Sequence, residues 1–322
     1  MKTNLIIDGN YLLHKDVFIL FSEKTLYSDL PILLRKDIDR LSKMHNFDHV
    51  YFVSDSKMRW RSEIYEDYKS ERTPHENIDW TDVYEIFDEL KLELKQRNNI
   101  HFYEVDWAEG DDLIAYITNE SNKKGYSNIL MASDNDFQQL LKFDLGLEYI
   151  NLIYNYRLSD EKTYFPENYN IFIEEMYGRS KTNLFDMNED TEFLEFLQYL
   201  KTKTKITEVN HEKSLFSKII SGDKKDNVSS VYIKNDRGIG LTGAESIYKL
   251  YKETNDDYID FHSNDIIDKM VDVVAFNKKI KDDDIKKDIK NKILRNRQLI
   301  MLSEKYLPKD LYENIKNTVK IY

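Results

Sequence analysis

Short apolar runs alternate with amphipathic segments over residues 1–150 of the chain. Five runs have the length and β-branched or aromatic content of strands, and most are separated by apolar residues at helical spacing. We predict strands at Leu5–Ile7, Val50–Val53, His101–Val105, Ile129–Ala132 and Leu147–Leu152, and helices at Leu30–Met44, Thr81–Arg97, Asp111–Lys123 and Phe137–Lys142. Strands that alternate with helices favour a mostly parallel sheet covered on both faces.

The periodic pattern weakens in the second half of the chain. Residues 151–212 are rich in Tyr, Asn, Glu and Lys, and we predict an insertion or connecting region with some helix around Thr191–Leu200. Residues 213–322 are strongly charged and are predicted to be mainly helical. The expected domain organisation is therefore an α/β core over residues 1–150, the connecting region, and a helical C-terminal region.

Nine acidic residues lie in five clusters, four of which come just after a predicted strand. They are Asp8, Asp55, Glu109, Asp111, Asp112, Asp134, Asp136, Asp223 and Asp226. In parallel sheets, ligands bind outside the carboxyl ends of the strands, so the strand-end acids are expected on one rim. Carboxylates that crowd together need compensating positive charge, and Mg²⁺ prefers oxygen ligands of this kind.

Each cluster also has a simpler structural interpretation. Asp8 begins a turn-like Asp-Gly-Asn sequence, and Asp55 is a good helix N-cap. Asp106 with Glu109 matches a capping box, as does Ser133 with Asp136 ahead of a helix over Phe137–Leu141. The Asp223–Asp226 stretch could be an ordinary charged turn. Only the shared position after strands makes a common site the stronger interpretation.

The Asp134-Asn-Asp136 sequence also resembles the start of an EF-hand calcium loop. Such a loop needs Gly at position six and Glu at position twelve. Counted from Asp134, these positions hold Gln139 and Leu145, so the EF-hand interpretation fails.

Composition limits the other classes of function. The chain has 322 residues, no cysteine and a formal net charge of −12, from 59 acidic and 47 basic residues. Without cysteine it has no disulfides, zinc–thiolate sites or cysteine nucleophile. Without the nine clustered acids, 50 acidic residues remain against 47 basic ones, so most of the excess charge belongs to one predicted site. No apolar run has membrane-spanning length and the N-terminus does not resemble a signal peptide, so we expect a cytoplasmic protein with no membrane partner.

The order and spacing of the clusters resemble those of the flap endonuclease or 5′-3′ exonuclease family. The matching motifs are Asp8-Gly9, Asp55, Glu109-Gly-Asp-Asp112, Ser133-Asp-Asn-Asp-Phe-Gln-Gln-Leu140 and Gly222-Asp-Lys-Lys-Asp-Asn227. The GDKKDNVSSV and WRSEIYEDYKSER segments are most similar to the T-even phage ribonuclease H branch of this family. One departure is Gly110, where the family usually has Ala.

This resemblance implies an α/β fold with a PIN-like three-layer α/β/α core, a helical arch and a C-terminal helix–turn–helix motif. It also implies two Mg²⁺ ions, for which Mn²⁺ can substitute. By the same resemblance, one metal is surrounded by Asp8, Asp55, Glu109, Asp111 and Asp134. The second is held by Asp136, Asp223 and Asp226, with Asp111, Asp112 or Asp134 bridging. Two divalent ions about 4 Å apart can activate water and stabilise the leaving oxygen of a phosphodiester.

Basic and aromatic residues interleave after Asp55. A solvated surface helix would explain them, but aromatic side chains beside cations also suit single-stranded nucleic acid. The resemblance places an arch at about residues 57–75, with Lys69 and Arg72 as catalytic cations that steady the scissile phosphate. The remaining candidate nucleic-acid contacts in the arch are Lys57, Arg59, Arg61, Tyr65 and Tyr68.

A second glycine-rich motif lies at Gly238-Ile-Gly240-Leu-Thr-Gly243. It matches the dinucleotide-binding pattern, but that pattern should follow the first strand of a βαβ unit. The resemblance offers a helix–turn–helix in which backbone N–H groups bind duplex phosphates. Lys234 and Arg237 would add charge there, and a K⁺ ion near Gly238–Gly240 is a family feature.

The expected function is that of a Mg²⁺-dependent 5′→3′ nuclease that removes RNA primers in phage replication, within the bacterial cytoplasm. Its expected partners are branched or 5′-ended duplex DNA and RNA–DNA hybrids, with a single-strand-binding protein or sliding clamp as candidate protein partners, and we expect a monomer. The alternatives are a PIN-type ribonuclease for single-stranded RNA and a catalytically silent DNA-binding module. A dinucleotide-dependent oxidoreductase is the weakest of them.

Overall fold

The computed structural model describes residues 1–23, 27–73, 75–156, 160–182, 187–255 and 259–322. Parts of the predicted arch (residue 74) and of the predicted connecting region (157–159 and 183–186) lie outside the described residues. The chain forms two compact units. The first comprises Met1–Arg59, Pro74–Val209 and Ser303–Tyr322, and the second comprises Trp60–Thr73 and Asn210–Leu302.

The first unit contains an eight-stranded, mostly parallel sheet. Its strands are β1 (Thr3–Asp8), β2 (His49–Val53), β3 (His101–Tyr103), β4 (Ser127–Met131), β5 (Phe143–Asp144), β6 (Tyr149–Asn155), β7 (Lys162–Pro166) and β8 (Lys205–Val209). The order is β3-β2-β1-β4-β6-β7-β8, with β5 paired to β6. The first five strands in this order are mutually parallel, β7 is antiparallel to β6, and β8 is parallel to β7.

Helices connect the strands of the first unit and make up most of the second. The helices are α1 (Gly9–Glu23), α2 (Leu30–Ser42), α3 (Arg61–Ile64), α4 (Trp80–Leu94), α5 (Gly110–Asn122), α6 (Tyr169–Thr182), α7 (Met187–Lys203), α8 (His211–Ser221), α9 (Leu241–Thr254), α10 (Asn264–Lys278), α11 (Asp283–Ile300) and α12 (Lys309–Thr318). Between α8 and α9 lies an antiparallel hairpin of β9 (Ile233–Lys234) and β10 (Arg237–Gly238).

The sheet and its covering helices share one apolar core. Leu5 and Ile7 of β1 are fully buried, and so are Leu13 of α1 and Phe87 of α4. Runs of apolar residues in the central strands reflect burial on both faces, as parallel sheets require. The α/β fold with a mostly parallel sheet, predicted from the strand and helix pattern, is thereby confirmed.

Helix α1 is the main element that the sequence pattern did not predict. It follows β1 without a loop, so the Asp8-Gly9-Asn10 sequence starts a helix and does not form a turn. A Cβ atom at Gly9 would lie 2.3 Å from a ring carbon of Phe52, so the close approach of α1 to β2 requires glycine here. Asp8 is thereby fixed at a direct strand-to-helix junction.

Three other predicted elements differ in the structure. Residues after Asp134 form a 3-10 helix over Asn135–Leu140, in place of the predicted helix at Phe137–Lys142. Within the predicted arch, only α3 is helical among the described residues. The predicted connecting region supplies β7 and β8, which extend the sheet of the first unit.

The last twenty residues of the chain return to the first unit. The Tyr103 hydroxyl donates to the Lys320 carbonyl at 3.1 Å and accepts from the Lys320 N–H at 3.0 Å, and Tyr322 stacks on His101. Among the described residues, no helix combines the length and apolar character that crossing a membrane would need.

Candidate active site

Three of the predicted acids lie at the carboxyl ends of adjacent strands in the first unit. Asp8 is the last residue of β1, Asp55 comes two residues after β2, and Asp134 comes three residues after β4. Because β1 lies between β2 and β4 in the sheet, the chain delivers all three carboxylates to one edge. This strand order places the three acids on one rim of the sheet, which is where the sequence pattern predicted them.

The Asp8 carboxylate is affected by its surroundings and by the charges of the other two acids. Removal of its carboxylate from water raises the pKa of Asp8 to about 7, although the residue as a whole is only half-buried. The negative charges of Asp55 and Asp134 raise this pKa further, against hydrogen bonds from backbone N–H groups such as that of Tyr11 at 3.0 Å. A raised pKa means that the site resists a further negative charge and favours a bound cation or proton.

Asn10 joins the β1 and β2 parts of this rim and was not predicted as a site residue. Its Oδ1 accepts from the Asp55 backbone N–H at 3.0 Å and from the Ser54 hydroxyl at 3.2 Å. Its Nδ2 donates to Asp55 Oδ2 at 3.1 Å. The available signal was its place two residues after Asp8, on the first turn of α1.

The N-terminus of α5 brings a fourth group to Asp55. The Gly110 backbone N–H donates to Asp55 Oδ1 at 2.6 Å, as helix N-termini do for anions. Glu109, the N-cap residue of α5, is buried and lies 3.9 Å from the guanidinium of Arg59. Arg59, predicted to contact nucleic acid, therefore pairs with a predicted metal ligand in this structure.

The capping arrangement of α5 corrects the sequence analysis. The capping box is formed by Glu109 and Asp112, and not by Asp106 and Glu109, because α5 begins at Gly110. The Glu109 backbone N–H donates to the buried Asp112 carboxylate at 3.1 Å. Asp111, on the same turn, is half-buried.

Asp134 likewise caps the element that follows it. Its Oδ1 accepts from the Asp136 backbone N–H at 2.9 Å, and this bond starts the 3-10 helix. The cap is therefore Asp134 itself and not Ser133, because the helical turn begins at Asn135. Asp136 is half-buried within this turn.

The second unit holds the last two acids on a short turn after α8. Lys218, one turn back on α8, lies 2.7 Å from Asp223. Burial alone would raise the pKa of Asp223, but the charge and hydrogen bond of Lys218 lower it below its ordinary value. Lys218 was not predicted as a site residue. The available signal was its position four residues before Gly222, about one helical turn ahead of the acidic motif.

Asp226 is buried and is contacted by three side chains of the predicted arch. The Tyr68 hydroxyl donates to Asp226 Oδ2 at 3.2 Å, and Lys69 Nζ lies 3.8 Å from the same oxygen. Arg72 donates to the other oxygen, Oδ1. The two predicted catalytic cations, Lys69 and Arg72, are therefore ion-paired to a predicted metal ligand.

The remaining arch residues divide into exposed and buried side chains. Lys57 is exposed, whereas Arg61 is 2% exposed and its Nε donates to the Leu299 carbonyl at 2.9 Å. Tyr68 is also buried, and the half-buried Tyr65 ring packs under the guanidinium of Arg295 at 4.7 Å. We predicted Arg61 and Tyr68 as nucleic-acid contacts. Both side chains are buried in this structure, so these two contacts stay predictions that would need the segment to move.

The glycine-rich motif surrounds the start of α9. Lys234, Arg237 and Gly238 are exposed on the β9–β10 hairpin, and Gly240 is the N-cap of α9. Gly243 lies in the first turn of this helix. The strand before the motif is a two-residue member of an antiparallel hairpin, which rules out the βαβ context of a dinucleotide site.

Comparison with known proteins decides the family. The profile of the 5′-3′ exonuclease N-terminal resolvase-like domain matches residues 3–172, more than half of the chain. The chain belongs to the 5′-3′ exonuclease family. Its members are nucleases, so the family predicted from the acidic motifs and the assignment as a hydrolase are both confirmed.

Proteins that are similar to this chain in sequence match different lengths of it. A 5′-3′ exonuclease of Mycoplasmopsis pulmonis is 24% identical over 266 residues, which cover 82% of this chain and 72% of the relative. The flap endonuclease Xni of Shewanella loihica is 29% identical over 149 residues, covering 46% of this chain and 55% of the relative.

Solved structures show the same fold over nearly the whole chain. The T5 5′-exonuclease with bound divalent zinc superposes with a TM-score of 0.58 at 18% identity, covering 99% of both chains. The bacteriophage T5 flap endonuclease, in a complex with DNA and metal ions, gives a TM-score of 0.57 at 18% identity, covering 98% of both chains. At this identity the likeness establishes the fold.

Proposed function

We propose that this member of the 5′-3′ exonuclease family is a divalent-metal-dependent nuclease that hydrolyses phosphodiesters near the 5′ ends of nucleic acids. The observation that carries the proposal is the crowding of Asp8, Asp55 and Asp134 at one edge of the sheet. The negative charges of Asp55 and Asp134 raise the pKa of Asp8, so this edge favours a hard cation, and oxygen-only ligands favour Mg²⁺, with Mn²⁺ as a substitute.

The residues of the first unit fit a metal. Asp8, Asp55 and Asp134 supply carboxylate oxygens, and Glu109 and Asp111 stand at the start of the helix that reaches Asp55. A bound divalent ion would supply Lewis-acid stabilisation of the phosphodiester oxygens and a more acidic water. The chain's own residues do the rest: Asn10 and the Gly110 N–H orient Asp55, and Tyr11 N–H orients Asp8.

We further propose that Asp223 and Asp226, on the turn after α8, supply carboxylate oxygens for a second divalent ion. Asp111, Asp112, Asp134 and Asp136 are proposed as further carboxylate ligands within the first unit. Asp136 belongs to the first unit, whereas Asp223 and Asp226 belong to the second. The two carboxylates of the second unit offer oxygen ligands, and a metal would compete there with Lys218 and Arg72, which pair with them in this structure.

The cations of the arch and the exposed hairpin support a nucleic-acid substrate. Lys69 and Arg72 are proposed to steady the scissile phosphate once they leave Asp226. Lys57 and Arg59 are proposed to contact the 5′ strand. Lys234 and Arg237, with the backbone N–H groups at the start of α9, are proposed to hold duplex phosphates in a helix–turn–helix manner, with K⁺ near Gly238–Gly240.

Branched or 5′-ended duplex DNA and RNA–DNA hybrids suit such a grip. We propose that the protein removes RNA primers during phage replication, as the resemblance to the T-even phage ribonuclease H branch implies. It would act as a monomer that meets a single-strand-binding protein or a sliding clamp at the replication fork.

A substrate panel tests this proposal. The purified protein is incubated with 5′-labelled flap DNA, a 5′-recessed duplex, an RNA–DNA hybrid and single-stranded RNA, with Mg²⁺ or with a chelator. We expect Mg²⁺-dependent release of short 5′ products from the first three substrates. Cleavage of single-stranded RNA alone would identify a PIN-type ribonuclease instead. Binding of flap DNA without cleavage or divalent-ion binding would identify a silent DNA-binding module.

A further inference from the structure

The segment Trp60–Thr73 is packed into the second unit at its N-terminal end. Trp60 and Arg61 are each 2% exposed, and the Arg61 guanidinium stacks on the Trp60 ring at 4.5 Å. With the Arg61 bond to the Leu299 carbonyl and the Arg295 contact on Tyr65, the start of the segment is anchored to α11. This end of the segment is therefore held in place by buried contacts with α11.

The other end of the segment closes on the turn that carries Asp226. We call residues 67–72 the clasp. Two backbone groups of the clasp form hydrogen bonds with this turn. The Lys69 N–H donates to the Asp226 carbonyl at 2.9 Å, and the Asp67 carbonyl accepts from Asn227 Nδ2 at 3.1 Å. Asn227 also donates to the Ser70 hydroxyl at 3.2 Å. Arg72 Nε adds a bond to the Lys225 carbonyl at 3.3 Å.

Side chains of the clasp also occupy both carboxylate oxygens of Asp226. Oδ2 receives the Tyr68 hydroxyl and faces the Lys69 ammonium, and Oδ1 receives the Arg72 guanidinium. Two cations thus neutralise one buried carboxylate. A divalent ion bound to the same oxygens would have to displace these donors, and it would repel the two cations over a few ångströms.

One backbone conformation in the clasp, that of Lys69, is unfavourable by itself and needs contacts to maintain it. Lys69 has a φ of 57°, in the left-handed region that costs a non-glycine residue about 1 kcal/mol or more. Such a conformation persists where surrounding contacts over-determine it, and several of those contacts here are made with Asp226. Loss of the Asp226 contacts therefore removes part of what holds Lys69 in this state.

We propose that the clasp and a divalent ion compete for Asp226, so that metal binding opens the clasp and frees Lys69 and Arg72 for the substrate phosphate. This inference rests on the proposed function, because it takes Asp226 as a metal ligand. Coupling between two equilibria is reciprocal. Closure of the clasp therefore lowers the metal affinity of this site by the same factor by which bound metal lowers the equilibrium constant for closure.

Hydrogen exchange and metal binding test the proposal without measuring catalysis. Amide exchange of residues 60–73 is followed while Mg²⁺ or Ca²⁺ is added to the full-length protein. We expect faster exchange of residues 67–72 as the metal binds. In Arg72→Gln, we expect fast exchange of residues 67–72 already without metal. We also expect Mn²⁺ to bind the weaker of the two proposed metal sites with a dissociation constant lower than that of the wild type by about five-fold or more, measured by electron paramagnetic resonance.

Two further variants separate the clasp from general effects of charge. Lys234→Gln removes the same charge from an exposed position of the hairpin in the same unit, and it should leave both the exchange and the Mn²⁺ affinity unchanged. Asp226→Asn should speed exchange of residues 67–72 without metal and abolish the further effect of metal on them.

The outcomes distinguish this proposal from the proposed function. A protein that binds divalent ions and cleaves 5′ flaps, but whose residues 67–72 become more protected with metal, contradicts the clasp. Equal Mn²⁺ affinities for the wild type and Arg72→Gln do the same. A protein that binds no divalent ion overturns the proposed function, and the clasp proposal with it.

Discussion

Asn10 binds both the backbone and the side chain of Asp55: its Oδ1 accepts from the Asp55 backbone N–H at 3.0 Å, and its Nδ2 donates to Asp55 Oδ2 at 3.1 Å. These two bonds fix both the backbone and the carboxylate of Asp55, which lies in the irregular stretch after β2. Because Asn10 lies two residues after Asp8, it also sets the spacing between the β1 and β2 acids. We infer that Asn10 is a positioning residue for the metal site.

The first prediction concerns this bond. Asn10→Ala removes the donor and acceptor that orient Asp55, and we expect about 10–100-fold weaker binding of Mn²⁺, as is typical when groups that orient a ligand are lost. The measurement is Mn²⁺ titration by electron paramagnetic resonance on the folded variant. Asn119→Ala on α5 is a control of the same chemical change. An affinity equal to that of the wild type in Asn10→Ala would remove Asn10 from the site.

The second prediction concerns Gly222, the C-cap of α8. Its φ is +74°, and a Cβ atom there would lie 2.2 Å from the Val228 carbonyl oxygen. Gly222→Ala should therefore destabilise the protein by about 1–3 kcal/mol, measured as a lower midpoint of urea unfolding.

Gly178 provides the matched control for Gly222. It lies within α6, and a Cβ atom there would meet nothing within 4 Å. Gly178→Ala should raise stability by about 0.5–1 kcal/mol, because alanine loses less conformational freedom in a helix. If both substitutions shift the unfolding midpoint in the same direction, the backbone argument at Gly222 is wrong.

The third prediction concerns a buried charge cluster on α1 and α2, outside the candidate site. Asp16 is fully buried, Lys15 Nζ lies 2.8 Å from its Oδ1, and Lys15 also pairs with Asp37. Burial raises the pKa of Asp16 to about 7 from 3.8, although the charge of Lys15 opposes the shift. A carboxyl whose pKa is higher in the folded state binds its proton more tightly there. Its contribution to stability is complete below about pH 4 and is lost as the pH rises towards 7.

Asp16→Asn should therefore flatten the dependence of stability on pH. The unfolding free energy of the wild type should fall between about pH 4 and pH 7, with a slope of up to about 1.4 kcal/mol per pH unit for each such proton. Asp8 contributes in the same direction, so the variant should keep part of the slope. Urea unfolding at a series of pH values measures this, and an unchanged slope in Asp16→Asn would assign the effect elsewhere.

The alternation of strands and helices allowed the central sheet and its acidic rim to be predicted. Apolar runs such as Ile129–Ala132 gave the strands, and the position of Asp134 after one of them gave its place at the edge. The pattern did not reveal α1, because Asp8-Gly9-Asn10 has the composition of a turn, whereas in the structure the helix follows β1 directly.

Contacts between residues far apart in sequence were the part that local patterns could not predict. Tyr68 and Asp226 are 158 residues apart, yet they share a hydrogen bond. The aromatic and basic character of the arch suited an exposed strand of nucleic acid as well as a packed surface. Only packing shows that Arg61 donates to a backbone carbonyl of α11 and is buried.

The fourth prediction concerns the hairpin before α9. If Lys234 and Arg237 contact duplex phosphates, each substitution to Ala should weaken binding of duplex DNA and lower the slope of log K against log salt by about 1. Binding is measured by fluorescence anisotropy over a series of salt concentrations, with Ca²⁺ in place of Mg²⁺. Lys205→Ala, an exposed lysine on β8, is the control and should leave the slope unchanged. Equal slopes for all three variants and the wild type would place the duplex grip outside this hairpin.

The central claim is that the acids at the strand ends form the metal site of a 5′→3′ nuclease, and Asp134 tests it most directly. Asp134→Asn removes one negative charge while keeping the shape and the cap of the 3-10 helix. Asp88→Asn makes the same change at an exposed position of α4. Cleavage of 5′-labelled flap DNA and RNA–DNA hybrid is measured with Mg²⁺ for both variants and the wild type. We predict that Asp134→Asn loses cleavage by at least about 100-fold, within the range typical for lost charge stabilisation, while Asp88→Asn cleaves like the wild type. Equal cleavage by Asp134→Asn and the wild type would contradict the proposed site.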